Sequence, residues 1–220
     1  MPVFVIIPMK TLLESKTRLS IVLEPQERKT LTLTMLEDVL KAVQSSKAYQ
    51  TVVVTSDLAV QELTDNFGAT YLPEKKQGLN QAVKQATHWC IRNDAESVLV
   101  LPADIPLLTS KDVNQIIQQG SEKIAIVLAP SQSGGTNALL QKPPNLMPTY
   151  FGSDSFRRHF AEASHKGIPI RVYRSQTVAM DIDSLKDLEN LLKIKRQTAS
   201  HRFLKQIGLN VRLAGAFKHL

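Results

Sequence analysis

Short runs rich in β-branched residues alternate along this chain with longer stretches whose apolar residues recur every three or four positions. Strands and helices in strict alternation build βαβ units, and such units feed a mostly parallel sheet covered on both faces. Val3 to Ile7 reads as the first strand, and Pro25 to about Gln44 as a helix with Leu31, Met35, Val39 and Val43 on one stripe. The alternation continues with a strand at 51–55, a helix at 59–66, an extended piece at 69–72, a helix at 79–92 and a strand at 97–101. Thr109 and Asp112 have capping-box spacing ahead of Val113, Ile116 and Ile117, so a helix starts there, and residues 124–128 read as strand. Beyond Pro130 come Gly134-Gly135, an extended 136–141 and a proline-rich loop through Pro143, Pro144 and Pro148, which together read as an insertion. A helix at 153–166 stopped by Gly167, a strand at 168–173 and a last helix opened by Asp183 or Ser184 complete the pattern. With 220 residues, one α/β domain accommodates all of it.

Charge and cysteine content narrow the function classes. The net charge of +7 is concentrated at the end: residues 196–220 carry five basic residues and no acid, leaving 22 basic against 20 acidic residues in the body. A near-neutral body with 5% aromatics and no basic and aromatic interleaving is not a nucleic-acid surface. No apolar run reaches the roughly 20 residues of a membrane span, and no basic region precedes the short apolar start, so a soluble cytoplasmic protein is expected. Cys90 alone excludes a disulfide framework or a multi-cysteine metal site. Residues 1–195 are read as the domain and 196–220 as a basic extension. Its Phe203, Leu204, Ile207, Leu209, Val211 and Leu213 call for packing on the body or at a dimer interface.

Three places carry candidate chemistry. Ligands of open α/β sheets bind at the carboxyl ends of strands. Lys10, Lys16 and Arg18 follow the first strand and could hold a polyphosphate, or form a solvated basic loop. Asp104, set between Pro102 and Pro106 after the central strand, suits a divalent ion bridging phosphates, although alone it could form a turn. Asp181 and Asp183 are spaced to point to one side of an extended chain, so three aspartates from two strand ends could hold magnesium. Gly134-Gly135-Thr136-Asn137 and the helix start at Gly152-Ser153-Asp154-Ser155 offer amides and hydroxyls to an anion, or are an ordinary turn and cap. His159 and His88 read as structural or exposed, and Trp89 and Cys90 as helix packing.

Taken together, these motifs resemble one family, the 2-phospho-L-lactate guanylyltransferases of coenzyme F-420 biosynthesis, a branch of the MobA-like nucleotidyltransferases. The resemblance spans Pro8-x-Lys10, Lys16-Thr17-Arg18-Leu19, Gly78-Leu79-Asn80 and Ala103-Asp104-Ile105-Pro106-Leu107-Leu108. It continues through Gly134-Gly135-Thr136-Asn137-Ala138-Leu139, Phe151-Gly152, Ser155-Phe156 with His159, and Asp181-Ile182-Asp183. It implies a single-domain, three-layer α/β/α Rossmann-like nucleotidyltransferase fold, a mostly parallel central sheet and a homodimer. The implied reaction joins GTP to 2-phospho-L-lactate or phosphoenolpyruvate and releases pyrophosphate. By the same resemblance Lys16 and Asp104 are catalytic, and Asp104, Asp181 and Asp183 hold magnesium. Lys10, Lys16, Arg18, Gly78 and Asn80 bind the nucleotide, and Thr136, Gly152 and Ser155 bind the acceptor. The loop after the first strand lacks the Gly-rich form that related nucleotidyltransferases use, so cationic side chains must do more of the triphosphate binding. Members of the family differ in whether they take 2-phospho-L-lactate, phosphoenolpyruvate or 3-phosphoglycerate, and no residue here selects among them. The alternatives are another nucleotidyltransferase, of molybdenum-cofactor or sugar-phosphate type, and a non-catalytic nucleotide-binding regulator.

Overall fold

The side-chain alternation of the strands divides the protein into layers. In a computed structural model that describes residues 2–216, with side chains to Arg212, β1 (Val3–Pro8) is buried along its whole length. Val3, Val5 and Ile7 enter one core, and Phe4 and Ile6 enter another on the opposite face of the sheet. The same division runs through β2 (Gln50–Thr55), β4 (Ser97–Val100) and β5 (Ala125–Pro130), as the period-2 geometry of a strand requires. Helices α1 (Pro25–Gln44) and α4 (Ser110–Gln119) cover the first face. The second is covered by α3 (Leu79–Arg92) and α5 (Ser155–His165). This is the expected three-layer α/β/α sandwich.

Among the described residues the sheet has seven strands in the order β3-β2-β1-β4-β6-β5-β7, where β3 is Thr70–Pro73, β6 Thr136–Lys142 and β7 Ile170–Val172. All neighbours pair in parallel except β6, which runs antiparallel between β4 and β5. The segment read as an insertion is therefore a central strand. Its polar ends disguised it: Gln141 and Lys142 are buried, with Gln141 accepting from the Met147 amide and Lys142 donating to the Ser121 carbonyl. Strand order turns back between β1 and β4, the place where such sheets bind ligands.

Local signals set the helix boundaries. Thr109 and Ser184 each accept from the amide three residues on, and Asp112 and Asp187 return a bond to the cap amide, which opens α4 and α7 (Leu185–Lys193). Helix α5 starts at Ser155, two residues later than expected, because Gly152 and Asp154 sit at positive φ (129° and 55°) and cannot belong to it. Two short helices, α2 (Gln61–Asn66) and α6 (Gln176–Ala179), fill connections.

The basic extension folds into α8 (Ala199–Gln206) and α9 (Leu209–Ala216). Buried Asp38 of α1 accepts from the Ala199 and Ser200 amides at 2.6 and 3.0 Å, supplying the acceptor that a helix amino end needs. Arg196 donates to the carbonyls of Leu107 and Leu108. Leu204 and Leu209 enter a third core with Leu31, Met35, Leu188 and Leu191, so this part of the extension packs on the body. The Leu213 side chain and residues 217–220 lie outside the described set. Among the described residues no helix is long and apolar enough to cross a membrane.

Candidate active site

Three loops meet at the carboxyl ends of β1 and β4, and each is pinned from below by one apolar side chain. Leu19 follows the Lys16–Arg18 turn, Leu107 follows Asp104, and Ile182 lies between Asp181 and Asp183; all three are buried in the third core. The Ile182 amide also donates to the Asp104 carbonyl at 3.0 Å, which ties the two acidic segments together. Asp181 and Asp183 are thus directed to the side opposite Ile182, as an i, i+2 pair in extended chain must be.

Lys16 is the centre of this cluster. Its backbone is left-handed (φ 56°), its side chain is only 7% exposed, and its ammonium lies 2.5 Å from Asp104 Oδ2 and 2.6 Å from Asp183 Oδ1. Burial alone would lower the Lys16 pKa, but the Asp104 and Asp183 carboxylates outweigh burial and hold it above the ordinary value. The ammonium is therefore a fixed positive charge shared by two carboxylates. Asp181 stands beside the pair and accepts from Asn137 Nδ2 at 3.2 Å. Burial raises its pKa, the Asn137 bond offsets part of that, and the charges of Asp104 and Asp183 add to the rise.

The donor set suits a small hard cation. Lys16 engages one oxygen of Asp104 and one of Asp183, leaving Asp104 Oδ1 and Asp183 Oδ2 without a hydrogen bond among the described residues, while Asp181 accepts from Asn137 and from its own backbone amide. Magnesium takes one or two such oxygens and fills its octahedron with phosphate oxygens and water, so these residues fit it. Among the described residues no three acidic, imidazole or thiol groups close into a preformed cage. Phosphate would have to complete the site.

Among the described residues no hydrogen bond or ion pair joins the remaining nucleotide candidates to this cluster. Lys10 and Arg18 are exposed after β1. The loop that carries them is fastened to the end of β2 by the Leu12 amide, which donates to Asp57 Oδ2. Gly78, at φ 123°, starts α3, and its amide donates to Glu74 Oε1. Asn80 faces the protein rather than open space: its Nδ2 donates to the Phe151 carbonyl at 2.9 Å, and its Oδ1 accepts from the Phe151 amide at 2.8 Å. One amide hydrogen of Asn80 remains for anything else.

The acceptor candidates form a second, uncharged cluster. Thr136 opens β6, next to Asn137 and hence to Asp181. Ser155 is buried at the start of α5, and the loop at Gly134 and Gly135 packs on that end, with the Phe156 amide donating to the Gly134 carbonyl. A Cβ on Gly135 would meet Ser131 Oγ at 2.9 Å. Gly152 sits in the left-handed region that disfavours other residues. Fully buried His159 joins these parts, one ring nitrogen 3.0 Å from the Thr136 hydroxyl and the other accepting from the Tyr150 amide at 2.8 Å. Sequence reasoning left His159 as a structural or exposed residue. Its position four residues into α5 hinted at the inward face, but its partners come from β6 and the loop before α5.

Away from this edge, a cavity of about 770 Å³ lined by Val3, Lys47, Ser97, Lys111 and Asn114 opens at the amino ends of the strands and takes no part in the site.

The solved structures agree on the fold. A candidate nucleotide-diphospho-sugar transferase from Desulfovibrio desulfuricans G20 superposes with a TM-score of 0.80 at 14% identity, covering 98% of each chain. A cytidylyltransferase from Leptospira borgpetersenii reaches 0.60 at 14% identity, covering 97% of this chain and 96% of that one. The family model described as guanylyl transferase CofC like matches residues 3–218, and this chain belongs to that family of nucleotidyltransferases. A phosphoenolpyruvate guanylyltransferase of Rubrobacter xylanophilus is 38% identical over 87% of this chain and 94% of its own length. A 2-phospho-L-lactate guanylyltransferase of Methanocaldococcus jannaschii is 34% identical over 94% and 90%. A 3-phospho-D-glycerate guanylyltransferase of Colwellia psychrerythraea is 35% identical over 85% and 90%.

Proposed function

We propose that this chain transfers the guanylyl group of GTP to the phosphate of 2-phospho-L-lactate or phosphoenolpyruvate, as a step of coenzyme F-420 biosynthesis. The products are lactyl-2-diphospho-5′-guanosine, or its enolpyruvyl analogue, and pyrophosphate. One observation carries the reading: a buried ammonium is clamped between Asp104 and Asp183 where strand order turns back, beside an uncharged cluster of hydroxyls and amides. The names of the relatives supply the nucleotide and the class of acid.

In this reaction an oxygen of the acceptor's phosphate attacks the α-phosphorus of GTP. The bond from that phosphorus to the oxygen bridging to the β-phosphate breaks, and its electrons leave with pyrophosphate. The nucleophile is already an anion, so no side chain has to remove a proton, and catalysis rests on positioning and charge. Lys16 meets the charge that builds on the transferring phosphate, and Asp104 and Asp183 hold its ammonium in place. Lys10 and Arg18 neutralise the β- and γ-phosphates and the leaving pyrophosphate. Gly78 and Asn80 border the nucleoside, and Thr136, the Gly152 amide and Ser155 hold the acceptor's phosphate or carboxylate. A magnesium ion held by Asp104, Asp181 and Asp183 would supply Lewis-acid neutralisation of the α-phosphate and the incoming oxygen.

The test is pyrophosphate release with magnesium and GTP, ATP or CTP, each paired with 2-phospho-L-lactate, phosphoenolpyruvate or 3-phosphoglycerate. Turnover with GTP and one of the first two acids is expected. Turnover with another nucleotide, or silence across the whole grid from folded protein, overturns the reading.

A further inference from the structure

The reaction above makes no use of His159, yet the two nitrogens of its buried ring have different obligations. The Tyr150 backbone amide can only donate, and it points at Nε2 from 2.8 Å, so Nε2 is the unprotonated nitrogen. The ring proton then sits on Nδ1 and is donated to Thr136 Oγ1, 3.0 Å away. A hydroxyl that accepts from His159 keeps its own proton to give, and among the described residues nothing receives it. Burial, with the charge of Arg158 adding to it, pushes the His159 pKa down to about 4, so the ring is neutral at physiological pH. The backbone on which the tautomer depends is itself braced, because Asn80 binds both polar groups of Phe151, the next residue.

We propose that His159 is a positioning residue acting through Thr136: it turns the hydroxyl so that its oxygen faces the ring and its proton faces the acceptor, making Thr136 a dedicated donor. A fixed donor at that point recognises an oxygen through its lone pairs, as a carboxylate or phosphate oxygen offers them. The proposal rests on the reading of Thr136 as an acceptor ligand, and the test separates the two.

Steady-state pyrophosphate release is measured with each substrate varied in turn, for Thr136→Val, His159→Asn and His159→Gln. An Asn side chain places an amide N–H close to where Nδ1 was and keeps the donor to Thr136. A Gln reaches the Nε2 position and keeps an acceptor for Tyr150, but loses that donor. Thr136→Val is expected to lower kcat/KM for the acceptor roughly ten- to a hundredfold, with KM for GTP little changed. His159→Gln should follow it, and His159→Asn should recover most of the loss. Equal losses in the two His159 variants, a milder effect in His159→Gln, or no effect in either would overturn the proposal and leave His159 as a brace for the loop. A Thr136→Val enzyme indistinguishable from wild type overturns the acceptor reading of Thr136, and the proposal with it. Should the buried substitutions prevent folding, the wild-type protein labelled with 15N-histidine still decides: the Nδ1–H tautomer is expected at pH 7, and an Nε2–H tautomer or an imidazolium overturns the proposal.

Discussion

The two clusters of the site are built on opposite principles. Around Lys16, Asp104 and Asp183 the side chains carry formal charge, neutralise one another at 2.5 and 2.6 Å, and stand on loops pinned in the third core by Leu19, Leu107 and Ile182. Around Thr136 and Ser155 no formal charge is buried. There, hydrogen bonds from His159 and Asn80 fix hydroxyls and backbone, with Phe151 and Phe156 packed against the core under α3 and α5. Charge acts over distance and tolerates small displacements, whereas a neutral donor discriminates only when its direction is fixed. The first cluster is therefore equipped to stabilise the transferring phosphate, and the second to choose what receives it.

Substitutions in the charged cluster should produce the largest losses. Lys16→Met removes the ammonium placed between the two carboxylates and is expected to lower turnover about 10³-fold or more at saturating substrates. Asp104→Asn deletes one charge and little packing. Most of its turnover should vanish at saturating magnesium while the thermal unfolding temperature moves by only a few degrees. Wild-type rates in Asp104→Asn would break the assignment of chemistry to this cluster.

The uncharged cluster should announce itself through acid sensitivity. The unfolded chain takes up a proton at His159 near pH 6.5, and the folded chain only near pH 4. Between those values the unfolded state binds more protons, so stability falls as pH drops through this window and levels off below it. The full effect is of order 3 kcal/mol. Unfolding free energies of wild type and His159→Asn from denaturant titrations, compared from pH 7 to pH 4, should show the wild type losing more by about that amount in total; parallel profiles would remove His159 as the source.

Asn80 sits where the clusters meet, and its replacement sharpens the boundary. Asn80→Ala frees Phe151 and is expected to lower kcat/KM for the acceptor roughly tenfold. A larger shift in KM for GTP than for the acceptor would show that its place beside the nucleoside outweighs its hold on Phe151. The smallest effect belongs to Gly152→Ala. The space beside Gly152 is open, so the cost is the backbone conformation at φ 129°, of order 1 kcal/mol or somewhat more in unfolding free energy.

Much of the architecture was legible because its determinants are local. Leu31, Met35, Val39 and Val43 mark the inner face of α1 through the helical period alone, and that helix spans the expected residues. Thr109 with Asp112 and Ser184 with Asp187 announce two helix starts through contacts three residues long. The motifs after β1 and β4 and before α7 stood out because ligands of such sheets gather at strand ends. By contrast, 136–141 read as extended but its place in the middle of the sheet was hidden, because Gln141 and Lys142 look solvent-facing until their partners at Met147 and Ser121 are known. His159 resembles any buried helix histidine until β6 and the Tyr150 loop close on it.

By itself, then, the sequence determined the alternating elements, the two faces of the sheet and the residue types available at the strand ends, all of which follow from periods of two and 3.6 and from short-range hydrogen bonds. Only the tertiary structure decided that one ammonium would serve two aspartates 88 and 167 residues away, that a strand from a Gly-Gly loop would enter the middle of the sheet, and that a helix histidine would set the direction of a hydroxyl on another element. Those pairings rest on contacts between segments distant in the chain, and such contacts exist only once the layers have packed.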